Sequence, residues 1–391
     1  MQSLRELFKI GPGPSSSHTI APYRACLLSV DKFGLLDHYD IELYGSLSLT
    51  GKGHGTDQVI IDTFSPSRVE VKFKLDWEES FPNGFYLKGY NKNDDLVCDW
   101  TVFSLGGGSI DIKELELLDN NDIYYENSFN EIKRKLVNNS LWNYILDYEP
   151  NIEEHLMMCI DQMVKCVEVG LNSEGVLPGK LKLKRCAKEL KNKALDDRTL
   201  LMAYAYAASE ENAMGHQVVT TPTLGSCGII AALVYYYYHD KQIDKSTLVK
   251  ALGVCGLFGN VVKTNASISG AIGGCQAEIG TACAMGAVFS GYINNLNTCQ
   301  LEYAAEIGIE HHLGLTCDPV GGYVMIPCIE RNAVGVLRSM DAMNLSLLMS
   351  DIKSNKVSFD MVVNTMRFTG SKIATELKET SLGGLATEVE C

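Results

Sequence analysis

In the first third of the chain, apolar residues recur in short runs that glycine, proline, asparagine and aspartate interrupt. Six of these runs have the length and the β-branched or aromatic content of strands. They cover residues 41–49, 58–64, 68–75, 85–90, 96–104 and 110–118. Residues 17–33 differ, because they follow serine and threonine caps and carry apolar residues at helical spacing. The pattern predicts a mixed α/β domain over residues 1–125.

The pattern changes beyond a polar, asparagine-rich stretch, and we place a connecting segment at residues 126–150. From residue 151 onward, long segments repeat apolar positions every three to four residues, which predicts helices. These segments are 151–171, 180–192, 197–213, 226–239, 245–258 and 332–352. Residues 251–330 contain 13 glycines, and glycine within packed helices permits close approach of another backbone or of a bound group. We therefore predict an α+β protein whose all-helical second domain, residues 151–391, packs around a bound group.

Length and charge narrow the possible functions. A chain of 391 residues exceeds what one hydrophobic core usually serves, which agrees with two domains. Its 34 Lys and Arg against 48 Asp and Glu give a net charge of −14, which argues against nucleic acid or an anionic membrane as the main partner. We recognise no apolar run of membrane-spanning length and no signal-peptide pattern, and we expect a cytoplasmic protein.

Three of the 13 cysteines lie in an unusual context. Cys275, Cys317 and Cys328 are each flanked by glycine or proline, so the backbone can turn thiolates and N–H groups toward one point. Iron–sulfur clusters need this combination. The separations of 42 and 11 residues match neither ferredoxin nor zinc patterns, so the spacing alone leaves metal binding open. Three thiolates on a four-iron cluster would leave one iron open for Lewis-acid catalysis.

A second group of candidates lies at the predicted start of the first helix. The sequence GPGPSSSHT (11–19) places hydroxyls and unpaired N–H groups there, which makes a suitable site for an anion such as a carboxylate. The candidate carboxylate ligands are Ser16, Ser17, His18 and Thr19. The alternative interpretation is a helix cap followed by a solvent-exposed histidine.

A third candidate is His54, which lies between two glycines in the sequence KGHGTD. A histidine in such a loop has little packing to do, and its ordinary pKa near 6.5 suits proton transfer. We rank it first as the base, with Thr56 and Asp57 close enough to orient it or to contact a substrate. The backbone N–H groups of the glycine loop Gly106–Gly108 would add hydrogen-bond donors for the substrate. The alternative interpretation of this loop is a plain turn.

Eight stretches in chain order carry a family resemblance. They are GPGPSSSHT, YGSLSLTGKGHGTD, SLGGGS, GVLPGKLKLKR, ENAMGHQVVTTPTLGSCGI, GGCQAEIGTACAMGA, AAEIGIEHHLGLTCDPVGGYVMIPCIERNA and KETSLGGLA. Together they cover nearly the whole chain, and the last three are very specific. The sequence resembles the iron–sulfur-dependent L-serine dehydratases (L-serine ammonia-lyases) in their single-chain form.

The resemblance implies a β-domain related to regulatory amino-acid-binding folds, followed by an all-helical α-domain that holds a [4Fe–4S] cluster. By position, Cys275, Cys317 and Cys328 match the family's three cluster cysteines. His54 matches its base. Cys391 matches a C-terminal cysteine that enters the active site and fills the open coordination position in the resting enzyme.

The implied reaction removes the Cα proton and the β-hydroxyl of L-serine, giving pyruvate and ammonium. Two alternatives stay open. A redox carrier or sensor would bind iron without catalysis, but it would not need the serine and histidine loops. A related lyase would use the same machinery on another small amino or hydroxy acid, for instance in cysteine desulfidation. We expect L-serine as the small-molecule partner and a homodimer as the assembly.

Overall fold

The computed structural model describes residues 1–79, 81–117, 121–136 and 139–389. Its strands are β1 (Ile10–Pro12), β2 (His38–Tyr44), β3 (Arg68–Phe73), β4 (Gly84–Tyr90), β5 (Leu96–Gly106), β6 (Ser109–Ile112) and β7 (Gln217–Val219). Strands β2 to β6 form one sheet in the order β3-β2-β4-β5-β6. Only the β2–β3 pair in this sheet is parallel, and β1 pairs with the distant β7 in a separate antiparallel ladder.

The N-terminal sheet domain also contains helices α1 (Ala21–Phe33), α2 (Ser46–Leu49), α3 (Gly51–His54) and α4 (Thr56–Phe64). A π-helical turn, Ser16–Ile20, leads directly into α1. Helices α2 to α4 form the connection between the parallel strands β2 and β3. A crossover of this kind places its first turns at the end of β2, where His54 lies at the C-terminus of α3.

The rest of the described chain is mostly helical. Its helices are α5 (Phe129–Lys135), α6 (Leu141–Tyr148), α7 (Ile152–Asn172), α8 (Ala187–Lys193), α9 (Asp197–Ala213), α10 (Cys227–Tyr235), α11 (Lys245–Asn265), α12 (Gly270–Gly273), α13 (Thr281–Ile293), α14 (Thr298–Glu310), α15 (Cys328–Met349), α16 (Phe359–Lys372) and α17 (Leu385–Glu388). Helix α13 is central, since it contacts α10, α11, α14 and α15 and is buried from Thr281 to Gly291. The predicted sequence of a small sheet domain and a helical domain is confirmed, but the second domain is mostly and not entirely helical, because its strand β7 pairs with β1.

Two large hydrophobic cores and one small cluster around Leu177 and Ile329 underlie this arrangement. The smaller core joins α1 and α4 to the sheet, and the larger one fills the helical part. The N-terminal residues Met1, Leu4 and Phe8 pack in the larger core, although they precede the sheet domain in sequence. Gly256 on α11 makes room for them, because a Cβ there would lie 2.7 Å from the Phe8 ring. The close backbone approach that the glycine-rich helices predicted occurs at Gly308 on α14, where a Cβ would lie 2.7 Å from the Ala284 Cα.

Two strand predictions are wrong. Residues 58–64 belong to helix α4, where Ile60 and Phe64 lie four residues apart on one buried face. Phe64 stacks on Tyr39 of the sheet, so packing overrides the strand preference of a β-branched run. The strand predicted at 41–49 ends at Tyr44, because Gly45 has φ 61° and opens α2. In the described residues, no helix is long and apolar enough to cross a membrane.

Candidate active site

Three separate elements carry the candidate cysteines. Cys275 follows α12 and precedes the π-helical turn Gln276–Gly280. Cys317 lies in an extended segment beside the C-terminal region, where its N–H donates to the Leu377 carbonyl at 2.8 Å. Cys328 is the first residue of α15. Cys275 and Cys317 are 3% and 5% exposed, which is the protected environment expected for ligands rather than surface thiols.

The structure brings these thiols together. A hydrogen bond from the Cys317 thiol lowers the pKa of Cys275. Burial raises the pKa of Cys328, and the nearby charge of Cys275 raises it further. Glu278 lies at the same place, with Oε2 3.9 Å from Cys317 Sγ. A Cβ at Gly270 would lie 3.2 Å from Cys317 Sγ, so a glycine on α12 keeps the space beside this thiol open. The buried thiols of Cys275 and Cys317 and the half-buried thiol of Cys328 therefore lie close together, although they come from three separate elements.

His54 is buried, and one hydrogen bond determines which of its two ring nitrogens carries the proton. Its Nδ1 lies 2.9 Å from the carbonyl of Thr50, one helical turn earlier, so Nδ1 carries the proton and donates it. Nε2 is therefore left with a free lone pair. Burial lowers the pKa of His54 to about 4, which keeps the ring neutral at pH 7. Thr50, and not Thr56 or Asp57, orients this imidazole.

His18 stacks on His54, with ring centroids 4.1 Å apart and planes inclined by 16°. Its Nε2 lies 3.0 Å from the Ser46 carbonyl, while its Nδ1 faces the hydroxyls of Ser17 at 3.0 Å and Ser15 at 3.2 Å. It is fully buried, so the alternative of a solvent-exposed histidine is wrong. Burial lowers the pKa of His18 well below its usual value. The two imidazoles form one neutral pair.

The other predicted serine and threonine residues differ in their surroundings. Ser16 and Ser17 are buried in the turn that begins at Ser16. The Thr19 hydroxyl donates to the carbonyls of Pro12 at 2.7 Å and Ser15 at 2.6 Å, so it holds the shape of that turn. The Thr56 hydroxyl is buried without a hydrogen-bond partner in the described residues. Asp57 is half-buried and accepts the N–H of Gln58.

The glycine loop Gly106–Gly108 lies against the helical part of the chain. All three glycines have positive φ, of 98°, 60° and 75°. A Cβ on Gly106 would meet Ser269 at 2.9 Å, and one on Gly107 would meet Ile268 at 2.6 Å. The Gly108 carbonyl accepts from Arg24 at 3.0 Å. The loop is therefore closely packed between the sheet domain and the segment that precedes Cys275.

Glu379 lies between the two histidines and the cysteine loop, and it is not among the residues that the local sequence pattern predicts for the site. Its Oε1 lies 3.7 Å from His18 Nδ1 and 3.9 Å from His54 Nε2. Its N–H donates to the Cys317 carbonyl at 2.7 Å, which ties its backbone to the cysteine loop. Burial, and after it the charge of Glu278, raise the pKa of Glu379. The one available signal was its place in the KETSLGGLA stretch.

The histidine loop and the cysteine loop also touch directly. A Cβ on Gly53 would lie 2.6 Å from the Gly322 carbonyl oxygen and 2.9 Å from that of Gly321. Gly321 and Gly322 lie between Cys317 and Cys328 in the chain. A cavity of about 420 Å³ borders this contact and is lined in part by His54, Gly53, Pro14, Gly215 and Tyr323. This cavity gives the buried His54 a neighbouring space large enough for a small molecule.

Three further histidines lie apart from this centre, and one predicted ligand lies outside the described residues. His216 is half-exposed and pairs with Glu211 at 2.6 Å. His311 and His312 hydrogen-bond to carbonyls of their own helix, and His312 packs against Gly280 beyond Cys275. The predicted fourth ligand, Cys391, lies outside the described residues.

Comparison with known proteins matches the chain to two family models. Residues 80–386 match the serine dehydratase alpha chain, and residues 3–74 match the serine dehydratase beta chain. L-serine dehydratase 1 of Escherichia coli K12 is 36% identical over 456 aligned positions that cover 100% of both chains. The L-serine dehydratase of Streptomyces coelicolor is 36% identical over 100% of this chain and 99% of its own. That of Helicobacter pylori 26695 is 34% identical over the same shares.

Proposed function

Since the chain belongs to the serine dehydratase family, we propose that it is an L-serine ammonia-lyase that converts L-serine to pyruvate and ammonium. Loss of the Cα proton and the β-hydroxyl gives an enamine, and the water released is taken up again when the tautomeric imine hydrolyses. Neither bond breaks readily in water, because the Cα–H is weakly acidic and hydroxide is a poor leaving group. The enzyme must therefore supply a base on one side of the substrate and an electrophile on the other.

We assign the electrophile to a [4Fe–4S] cluster held by Cys275, Cys317 and Cys328. The proximity of two buried thiols and the half-buried thiol of Cys328 supports this, because three sulfur donors fit such a cluster and leave one iron open. When bound, the cluster supplies Lewis acidity that makes the β-hydroxyl a better leaving group. Arg331 adds a cation beside Cys275 and Cys328, and its charge favours the ionised forms of these two thiols.

The observation that carries the proposal is the free Nε2 of His54. With Nδ1 held by the Thr50 carbonyl, Nε2 is an unprotonated acceptor in a neutral ring at pH 7, as a general base requires. It faces Glu379, whose N–H donates to the Cys317 carbonyl, so the proposed base lies near the loop that carries one of the thiols. A redox carrier would have no use for a base in this position.

The substrate carboxylate has a separate proposed site in the serine turn. Ser16 and Ser17 supply hydroxyls and N–H groups at the start of the first helix, and His18 lies beside them. Thr19 maintains the turn through its bonds to Pro12 and Ser15. Substrate contacts of Thr56, Asp57 and Gly106–Gly108 stay predictions from the sequence.

For the resting enzyme we propose that Cys391 is the fourth, displaceable ligand. A terminal cysteine carries a thiolate and an α-carboxylate on one residue, so it resembles the hydroxyl and carboxylate of serine. The described chain reaches residue 389, and the N–H of Leu385 donates to Asp318 next to Cys317, which brings the C-terminal region toward the cysteine loop. We also propose that the enzyme is a cytoplasmic homodimer. Each chain would have one domain at residues 1–125 and a second at residues 151–391.

The test is anaerobic reconstitution of the purified chain with iron and sulfide, followed by incubation with L-serine. We expect pyruvate and ammonium in equal amounts, with the brown chromophore retained through many turnovers. A reconstituted protein that is reversibly reduced but forms no pyruvate would be a redox carrier or sensor, and it would contradict the proposal. Faster sulfide release from L-cysteine than pyruvate formation from L-serine would reassign the substrate.

A further inference from the structure

Glu379 is a buried carboxylate with one oxygen unused. It is 6% exposed, and its Oε2 has no hydrogen-bond partner among the described residues. Burying a carboxyl group with one unpartnered oxygen is costly, because that oxygen loses its hydration, although the Ala271 N–H favours the ionised form of the group. Its position therefore requires an explanation beyond packing.

The nearby cations of the chain do not serve as its partner. The Arg331 guanidinium donates to the Thr316 carbonyl at 2.6 Å and lies 3.5 Å from Asp318. Lys378 precedes Glu379 in an extended segment, and it lines a different cavity with Gln276 and Arg367. The two histidines that Glu379 faces are held neutral by burial. The carboxylate is thus available to a cation from outside the chain.

We propose that Glu379 binds the α-ammonium group of the substrate and so selects amino acids over 2-hydroxy acids. This inference rests on the proposed function, because it names the contact that an L-serine ammonia-lyase needs for the third substituent of Cα. Serine binds as a zwitterion, so its ammonium requires an acceptor once it leaves water. A carboxylate is the acceptor that makes the strongest hydrogen bonds to it.

The arrangement of neighbours agrees with this assignment. Glu379 Oε1 lies 3.9 Å from His54 Nε2, and Cα is one covalent bond, about 1.5 Å, from the ammonium nitrogen. A nitrogen held by Glu379 therefore brings the Cα–H next to the proposed base. The same oxygen lies 3.7 Å from His18, beside the serine turn proposed for the carboxylate. The Glu379 N–H donates to the Cys317 carbonyl, so the proposed ammonium site lies next to the loop that carries this thiol.

The test compares two molecules that differ only at the ammonium group. L-Serine is measured as substrate, and L-glycerate, which has a hydroxyl in place of the ammonium, is measured as competitive inhibitor of the reconstituted enzyme. In Glu379→Gln we expect the KM for L-serine to rise roughly 10–100-fold, since a charged hydrogen bond is lost. The inhibition constant of L-glycerate is expected to stay within about twofold, and Glu379→Asp is expected to recover part of the serine affinity.

The control is Glu376→Gln, an exposed carboxylate three residues earlier in the same segment. It should leave both constants unchanged, and iron content should equal the wild-type value in all three variants. Equal weakening of L-serine and L-glycerate in Glu379→Gln would make Glu379 a structural residue, and unchanged serine affinity would remove it from the site. Both outcomes overturn the inference while the wild-type enzyme still forms pyruvate. Failure of the wild type to form pyruvate would instead contradict the proposed function.

Discussion

The contact between the histidine loop and the cysteine loop gives a specific prediction for Gly53→Ala. A methyl group at this position would lie 2.6 Å from the Gly322 carbonyl oxygen, 2.8 Å from its carbon and 2.9 Å from the Gly321 oxygen. All three are backbone atoms, so no side-chain rotation relieves the overlap. One of the two loops must move, and Gly53 is adjacent to His54 while Gly322 lies between two of the proposed ligands.

The size of the movement follows from the distances. Ordinary Cβ contacts begin near 3.4 Å, so the overlap with the Gly322 oxygen requires a separation of about 0.8 Å. A misplacement of about 1 Å at a reacting group costs about 100-fold in rate. We therefore expect kcat of Gly53→Ala to fall by about 10–100-fold. The thiols belong to the helical part of the chain, so iron content is expected to remain complete.

The assay is pyruvate formation by the reconstituted enzyme, with iron and sulfide determined on the same samples. Gly51→Ala is the matched control, because it lies on the same short helix and its Cβ would meet the side chains of Phe73 at 3.0 Å and Thr56 at 3.4 Å. These side chains can shift by a few tenths of an ångström, so we expect activity within about threefold of wild type. Full activity in Gly53→Ala, or an equal loss in Gly51→Ala, would refute a catalytic role for the loop contact.

The remaining predictions concern the base and the C-terminus. His54→Ala should retain the cluster and bind L-serine but lose turnover by roughly 10²–10⁴-fold, and a change confined to KM would reassign His54 to binding and favour His18 as the base. Because burial lowers the pKa of His54 to about 4, the proposed base is unprotonated above that pH. We therefore expect kcat/KM to stay nearly constant as the pH falls from 7 to 5. A loss of kcat/KM with an apparent pKa near 6.5 would contradict this expectation. Deletion of Cys391 should leave catalysis possible and accelerate inactivation by air, and equal inactivation rates would remove Cys391 from the ligand set.

Local sequence signals predicted some elements well and others poorly, for physical reasons. Helix α9 has the predicted bounds of 197–213, because Asp196 caps its start and propensity agrees throughout. Helix α13 was not predicted as a separate element, since it is buried on nearly all sides and shows no amphipathic period. Residues 58–64 were assigned to a strand from their β-branched content, whereas packing of Ile60 and Phe64 on the sheet makes them helical.

The candidate site was predictable where chemistry and local backbone coincide. Glycine and proline next to Cys275, Cys317 and Cys328 mark the thiols that the structure brings together, and the glycines beside His54 mark the proposed base. Glu379 has no such local signal, because its significance comes from the pairing of its segment with Cys317. The role of Thr50 was equally hidden, since a backbone carbonyl one turn before His54 carries no mark in the sequence.

The central claim is that three converging thiols hold a cluster that this enzyme needs for serine dehydration. The most direct measurement is iron and acid-labile sulfide per chain, together with pyruvate formation, in Cys275→Ala, Cys317→Ala and Cys328→Ala. The exposed Cys299, changed to alanine, is the control. We predict about four iron atoms per chain and full activity in the wild type and the control, with joint loss of iron and activity in each of the three variants. Full iron content and turnover in any of the three would contradict the account.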